Sequence, residues 1–66
     1  MPSLIVEWDH IVGEFKRPKQ REFPIDAKLM VKQDERGYAT LERLDRGIWV
    51  HELTTPGKLF IHARAF

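Results

Sequence analysis

In the second half of the chain, Tyr38, Trp49, His51, Lys58, Phe60, His62 and Arg64 recur at alternate positions of short apolar runs. This mixture suits nucleic-acid contact: aromatic rings stack on bases, worth about 1–3 kcal/mol per base, while Arg, Lys and His meet phosphates. It also suits a protein partner, because Trp, Tyr and Arg are frequent hot-spot residues. The plainest use is a second apolar contact surface, covered by the N-terminal segment or by another copy of the chain. A separate cluster, Lys16, Arg17, Lys19 and Arg21, holds four cations within six residues and no acid. Such a run neutralises phosphates and makes binding salt-dependent. Its simpler role is a solvated loop, or charge pairing with Glu7, Asp9 and Glu14, the acids of the first fifteen residues.

Catalytic chemistry has little to draw on. The chain has no cysteine, and its one serine, Ser3, lies near a terminus. A threonine nucleophile needs a base and an orienting group, and neither Thr40, Thr54 nor Thr55 has a context that supplies them. Pro56-Gly57-Lys58 resembles a fragment of a phosphate-binding loop, but Glu52 and Leu59 stand where that motif needs glycine and Ser or Thr. His51, His62 and Glu42 could hold zinc if brought together, since two histidines and a carboxylate leave one position open. Nothing in their spacing demands it, so no catalytic residue, metal or cofactor is expected.

Whatever these residues do, a small scaffold must position them. A chain of 66 residues with 42% apolar content is a single domain, residues 1–66, with a thin core. No disulfide or thiolate metal site staples it, so self-association is expected to supply missing burial. A net charge of +1 argues against attraction of nucleic acid or membrane by the protein as a whole. No segment is long and apolar enough to span a bilayer. Met1-Pro2-Ser3 lacks the basic stretch and apolar run of a secretory signal. A cytoplasmic location is expected.

Turn chemistry delimits the elements. Asp34-Glu35-Arg36-Gly37, Asp45-Arg46-Gly47 and Thr54-Thr55-Pro56-Gly57 each end in glycine and separate four short alternating runs, which predicts an antiparallel β-meander. Leu53 is expected to pair with Lys58 and close a four-residue hairpin loop. Keeping apolar sets together pairs Leu41 with Val50 and Glu42 with Trp49, with a bulge to reconcile the turn. The core face is then Ala39, Leu41, Ile48, Val50, Leu59, Ile61, Ala63 and Ala65. The opposite face carries Tyr38, Thr40, Glu42, Trp49, His51, Leu53, Lys58, Phe60, His62, Arg64 and Phe66, and places His51 and His62 on a diagonal. The N-terminal run reads two ways. Leu4, Trp8, Ile11 and Phe15 fall at helical spacing, whereas the β-branched and aromatic content and Gly13 favour strands. Strands are preferred, and Lys16 to Pro24 reads as a loop.

The expected fold is therefore all-β, a meander forming a five- or six-stranded barrel or sandwich. The alternative is α+β, a helix over residues 3–15 on a four-stranded sheet. The expected function is that of a small non-enzymatic, regulatory binding protein that engages nucleic acid through the aromatic face and the basic loop. A protein–protein module, an inhibitor or assembly subunit that homo-oligomerises or caps a partner through the same face, is the alternative.

Overall fold

Glycine and proline punctuation divides the chain into six strands: β1 (Ser3–Val12), β2 (Phe15–Pro24), β3 (Leu29–Gln33), β4 (Tyr38–Asp45), β5 (Ile48–Pro56) and β6 (Leu59–Arg64). The computed structural model describes residues 1–65; Phe66, assigned above to the aromatic face, lies outside them. All paired strands are antiparallel, in two three-stranded sheets ordered β2-β1-β6 and β3-β4-β5. The all-β expectation holds, and the helical alternative for residues 3–15 does not.

Gly13, with φ of 61°, opens the two-residue loop that sets Val12 opposite Phe15. Glycine at the first loop position suits a type II′ turn, whose twist matches that of the strands. β1 is the middle strand of its sheet, so Leu4-Ile5-Val6 is a continuous apolar run and not an alternation. Lys16–Pro24 is not the loop that its prolines and charges suggest. It is most of β2, an edge strand, where a proline's missing N–H faces solvent and disrupts no ladder.

The β3–β4 turn is built on Asp34. Its Oδ1 accepts hydrogen bonds from the Tyr38 N–H at 3.0 Å and the Arg36 N–H at 2.9 Å. Gly37 supplies the left-handed residue, φ 85°. The Tyr38 amide, with Arg36 adding to it, holds the Asp34 carboxyl below its ordinary value of 3.8. A folded pKa below the unfolded one means that the turn's stabilisation is complete above pH 3.8 and drains away as pH falls through the lowered value. Asp34→Asn is expected to flatten this acid dependence. Arg36 and Tyr38 amide shifts followed through an acid titration check it; an unchanged profile in the variant overturns it.

At the β4–β5 turn, Arg46 (φ 53°) and Gly47 (φ 80°) both adopt the left-handed conformation, a type I′ pair, and Asp45 meets Ile48. Neither Leu41 with Val50 nor Glu42 with Trp49 forms: Arg43 faces Val50 and Leu44 faces Trp49. A bulge does occur, between Leu41 and Glu42, where Glu52 is the unmatched residue of β5 and Leu41 comes opposite Leu53. The primed turn dictates the first part of the register and the bulge restores the apolar match in the second.

β5 and β6 do not pair as a hairpin, so Leu53 does not meet Lys58. Gly57, with φ of 91°, turns the chain away, and its N–H donates to the Gly37 carbonyl at 2.8 Å. The chain passes to the other sheet, where Leu59 lies opposite Trp8 and Arg64 opposite Ser3. Val6, Phe23 and Leu41 form the centre of the core, with Trp8, Leu53 and Leu59 packed on it. Of the expected core face, only Ala39 and Leu41 are buried; Val50 and Ile61 remain 40% and 39% exposed. The reason is topological, since that set is divided between two sheets.

Candidate nucleic-acid interface

The change of sheet after Gly57 also divides the aromatic residues. Directly paired residues share a side of their sheet. Leu41, in the core, pairs with Val31 and Leu53. Glu42, Leu44, His51 and Trp49 therefore point out of the β3-β4-β5 sheet, as does Tyr38. In the other sheet Val6 belongs to the core, whereas Phe60, His62 and Arg64 lie on the opposite side with their partners Glu7, Ile5 and Ser3, a side on which Ile5 and Ser3 are themselves buried and Phe60 is exposed. Tyr38, Trp49 and His51 thus occupy one outer surface and Phe60, His62 and Arg64 another. Lys58 sits in the connection between β5 and β6. His51 and His62 are not diagonal neighbours, and among the described residues no three His, Asp or Glu side chains group as a metal site requires.

Several of these side chains are already engaged. Arg36 lies over the Tyr38 ring at 5.1 Å from its centroid, and His51 Nε2 is 2.7 Å from Thr54 Oγ1. His62 Nδ1 is 3.9 Å from Glu7, and Arg64 is 3.9 Å from Glu22. Arg21 is engaged as well. It reaches across to the other sheet, where its guanidinium is 3.1 Å from Glu52 Oε2, while Arg43 Nε donates to Glu52 Oε1 at 2.8 Å. Glu52 raises the Arg43 guanidinium above its ordinary range. The β5 bulge is what turns Glu52 towards both arginines, so this trio ties the sheets together.

The remaining cations lie on a projecting arm. β6 accompanies β1 only as far as Trp8, but the β1–β2 ladder continues to Val12 and Phe15. Four further residues of each strand, about 14 Å of ribbon, run past the end of β6, with Asp9, Ile11 and Lys16 facing a cavity they share with Pro56, Gly57 and Lys58. The cross-strand pairs Trp8–Lys19, His10–Arg17 and Val12–Phe15 fall on one side of this ribbon. Asp9–Pro18 and Ile11–Lys16 fall on the other. One side therefore alternates Trp8, His10 and Phe15 with Arg17 and Lys19, and the Asp9 carboxylate lies behind it. Arg17, Lys19 and Lys16 have no carboxylate within ion-pair distance among the described residues. Phe15 is 70% exposed at the tip.

The basic segment was visible in the sequence, but its aromatic companions Trp8, His10 and Phe15 were not. The signal for them is Gly13-Glu14, a two-residue turn between two runs of equal length. Once that turn is recognised, counting outwards places each aromatic beside its cation. Comparison of the chain with protein-family models, with curated proteins and with solved structures returned no match. No helix of the described residues is long and apolar enough to cross a membrane.

Proposed function

We propose that this protein binds duplex nucleic acid by inserting the β1–β2 arm into the major groove. The observation that carries the reading is one side of the arm, where Arg17 and Lys19, free of ion pairs among the described residues, stand among Trp8, His10 and Phe15, while Asp9 and Lys16 lie on the other side and Glu14 at the turn. A two-stranded ribbon fits a groove about 12 Å wide and about 8.5 Å deep, and the arm is long enough to reach its floor. Arg17 and Lys19, with Lys16 at the margin, neutralise phosphates; His10 and Phe15 approach base edges; Trp8 anchors the base of the arm to the core. The reading assigns a binding role and not an enzymatic one, with a regulatory use in the cytoplasm as its natural setting. It replaces the single aromatic face expected from the sequence, whose members lie on two outer surfaces.

Tryptophan fluorescence titrated with duplex and single-stranded oligonucleotides at low salt tests it, since Trp8 stands at the base of the arm. Duplex is expected to bind more tightly. The double variant Arg17→Ala, Lys19→Ala is expected to reduce the slope of log K against log salt by about 1.8, roughly 0.9 for each lost phosphate contact. No signal at micromolar concentration, or an unchanged slope in the variant, overturns the assignment.

A further inference from the structure

The chain has four free sheet edges, formed by β2, β6, β3 and β5. An unpaired edge is a template for another strand, and proteins blunt such edges with proline, charge, bulges or shortness. β2 carries Pro18, Pro24 and its row of cations. β3 is five residues long and ends in Lys32 and Gln33. β5 has the bulge at Glu52 and closes on Pro56. β6, Leu59-Phe60-Ile61-His62-Ala63-Arg64, has none of these from Leu59 to Ala63. Side chains on both its sides are open, with Phe60 61% and Ile61 39% exposed.

The whole molecule is short of burial. Its accessible surface is 5235 Å², against about 4,400 Å² for a folded monomer of this mass. Its radius of gyration is 12.6 Å, against about 10.8 Å for a compact domain of this length. The surplus of roughly 800 Å² is about what one partner contributes to a standard protein interface. The arm accounts for part of it, Ile48, Trp49 and Val50 of β5 for another part, and the β6 edge, which lacks proline and bulge, exposes Phe60 and Ile61.

We infer that β6 pairs antiparallel with β6 of a second copy, joining two sheets into one of order β2-β1-β6-β6-β1-β2. The twofold axis of such a dimer runs along the sheet normal, so directly paired residues must lie on the same side of the sheet. Only registers centred on a residue satisfy this. Centring on Ile61 sets Ile61 against its own copy and Leu59 against Ala63 on the inner side, and Phe60 against His62 on the outer side. Centring on His62 instead would set two imidazoles against each other. The Ile61 register keeps the apolar set continuous across the axis and is the one assigned. Because the twofold axis reverses the strand direction from one copy to the other, the two arms leave opposite ends of the joined sheet. The dimer does not rest on nucleic-acid binding.

Absence of cysteine makes the test clean. Sedimentation equilibrium of the full chain is expected to give twice the monomer mass. Ile61→Cys is expected to form an intermolecular disulfide under mild oxidation in buffer but not in urea, whereas Thr54→Cys, on the other sheet, is expected not to. Ile61→Lys, an inward charge on the edge, is expected to give a folded monomer. A chain with residues 9–18 of the arm replaced by Asn-Gly is expected to remain dimeric. A monomeric wild type overturns the inference, as do equal cross-linking at Thr54→Cys and a monomeric arm-shortened chain. Preferential cross-linking through His62→Cys overturns the register. Should Ile61→Lys fail to fold, the cysteine pair decides alone.

Discussion

Leu41→Ala is expected to leave this protein unfolded or nearly so at ambient temperature. Leu41 has no solvent exposure and joins both sheets, packing with Val6 and Phe23 of one and Leu53 of the other. Replacing a fully buried leucine by alanine costs about 2–5 kcal/mol, the larger values where surroundings cannot collapse. Three features favour the upper end here. Leu41 is flanked by Val31 and Leu53 in direct pairs, so ladder hydrogen bonds hold its neighbours in place. The bulge at Glu52 already commits the local backbone to one geometry. The buried apolar set is small, so no second layer can move in. A chain of this length has a total stability of roughly 3–10 kcal/mol, so one substitution removes much of it. Urea unfolding followed by tryptophan fluorescence measures the loss, and a midpoint within error of the wild type overturns it.

Removing the arm is expected to have the opposite profile: a large functional effect on a stable body. Trp8 and Lys19 are directly paired, so an Asn-Gly dipeptide can join them as a type I′ hairpin and replace residues 9–18. The deleted residues contribute no buried side chain, and β6 pairs with β1 only up to Trp8. The shortened chain should therefore keep its far-ultraviolet spectrum and its urea midpoint. It loses Lys16 and Arg17 together with His10 and Phe15. The slope of duplex binding against salt should fall by about 1.8 through the two lost phosphate contacts, with residual binding indifferent to sequence. Unfolding of the shortened chain would show that the arm is structural. Undiminished duplex binding would show that the site lies elsewhere.

How much of this could be read from residues alone divides along the range of the interactions. The turns at Asp34–Gly37 and Asp45–Gly47 were legible because their chemistry is local: an aspartate that accepts its own downstream amides, and glycines that reach positive φ without strain. Strand identity in β4 and β5 followed from the same short-range alternation. β2 was hidden because Pro18, Pro24 and five charged residues describe a loop unless its place at the edge of a sheet is already known. The β4–β5 register was hidden at the turn, where Arg46 joins Gly47 in the left-handed conformation and so pairs Asp45 with Ile48; the bulge at Glu52 then shifts the pairings beyond it by one residue. The largest miss, the single aromatic face, came from β6. Phe60 and His62 alternate in step with Trp49 and His51, so adjacent strands seemed to share a surface. What separates them is the choice of β1 as partner, a contact between opposite ends of the chain that no local pattern records. The ion pair of Arg21 was hidden for the same reason, since its partner Glu52 is thirty-one residues away.

The pairing of Ser3 with Arg64 has a consequence for how the molecule comes into being. The β1–β2 hairpin and the β3-β4-β5 meander involve near neighbours in sequence and can zip up independently. β1 and β6 must wait for closure of nearly the whole chain, the slowest kind of step available to a domain of this size. A peptide bridge between the two ends would convert that slow encounter into a local one. With a few glycines linking the termini and a new opening cut in the β2–β3 connection at Ile25-Asp26, both partners of β1 become its neighbours in sequence, and the permuted chain should fold faster than the unpermuted one to the same two sheets.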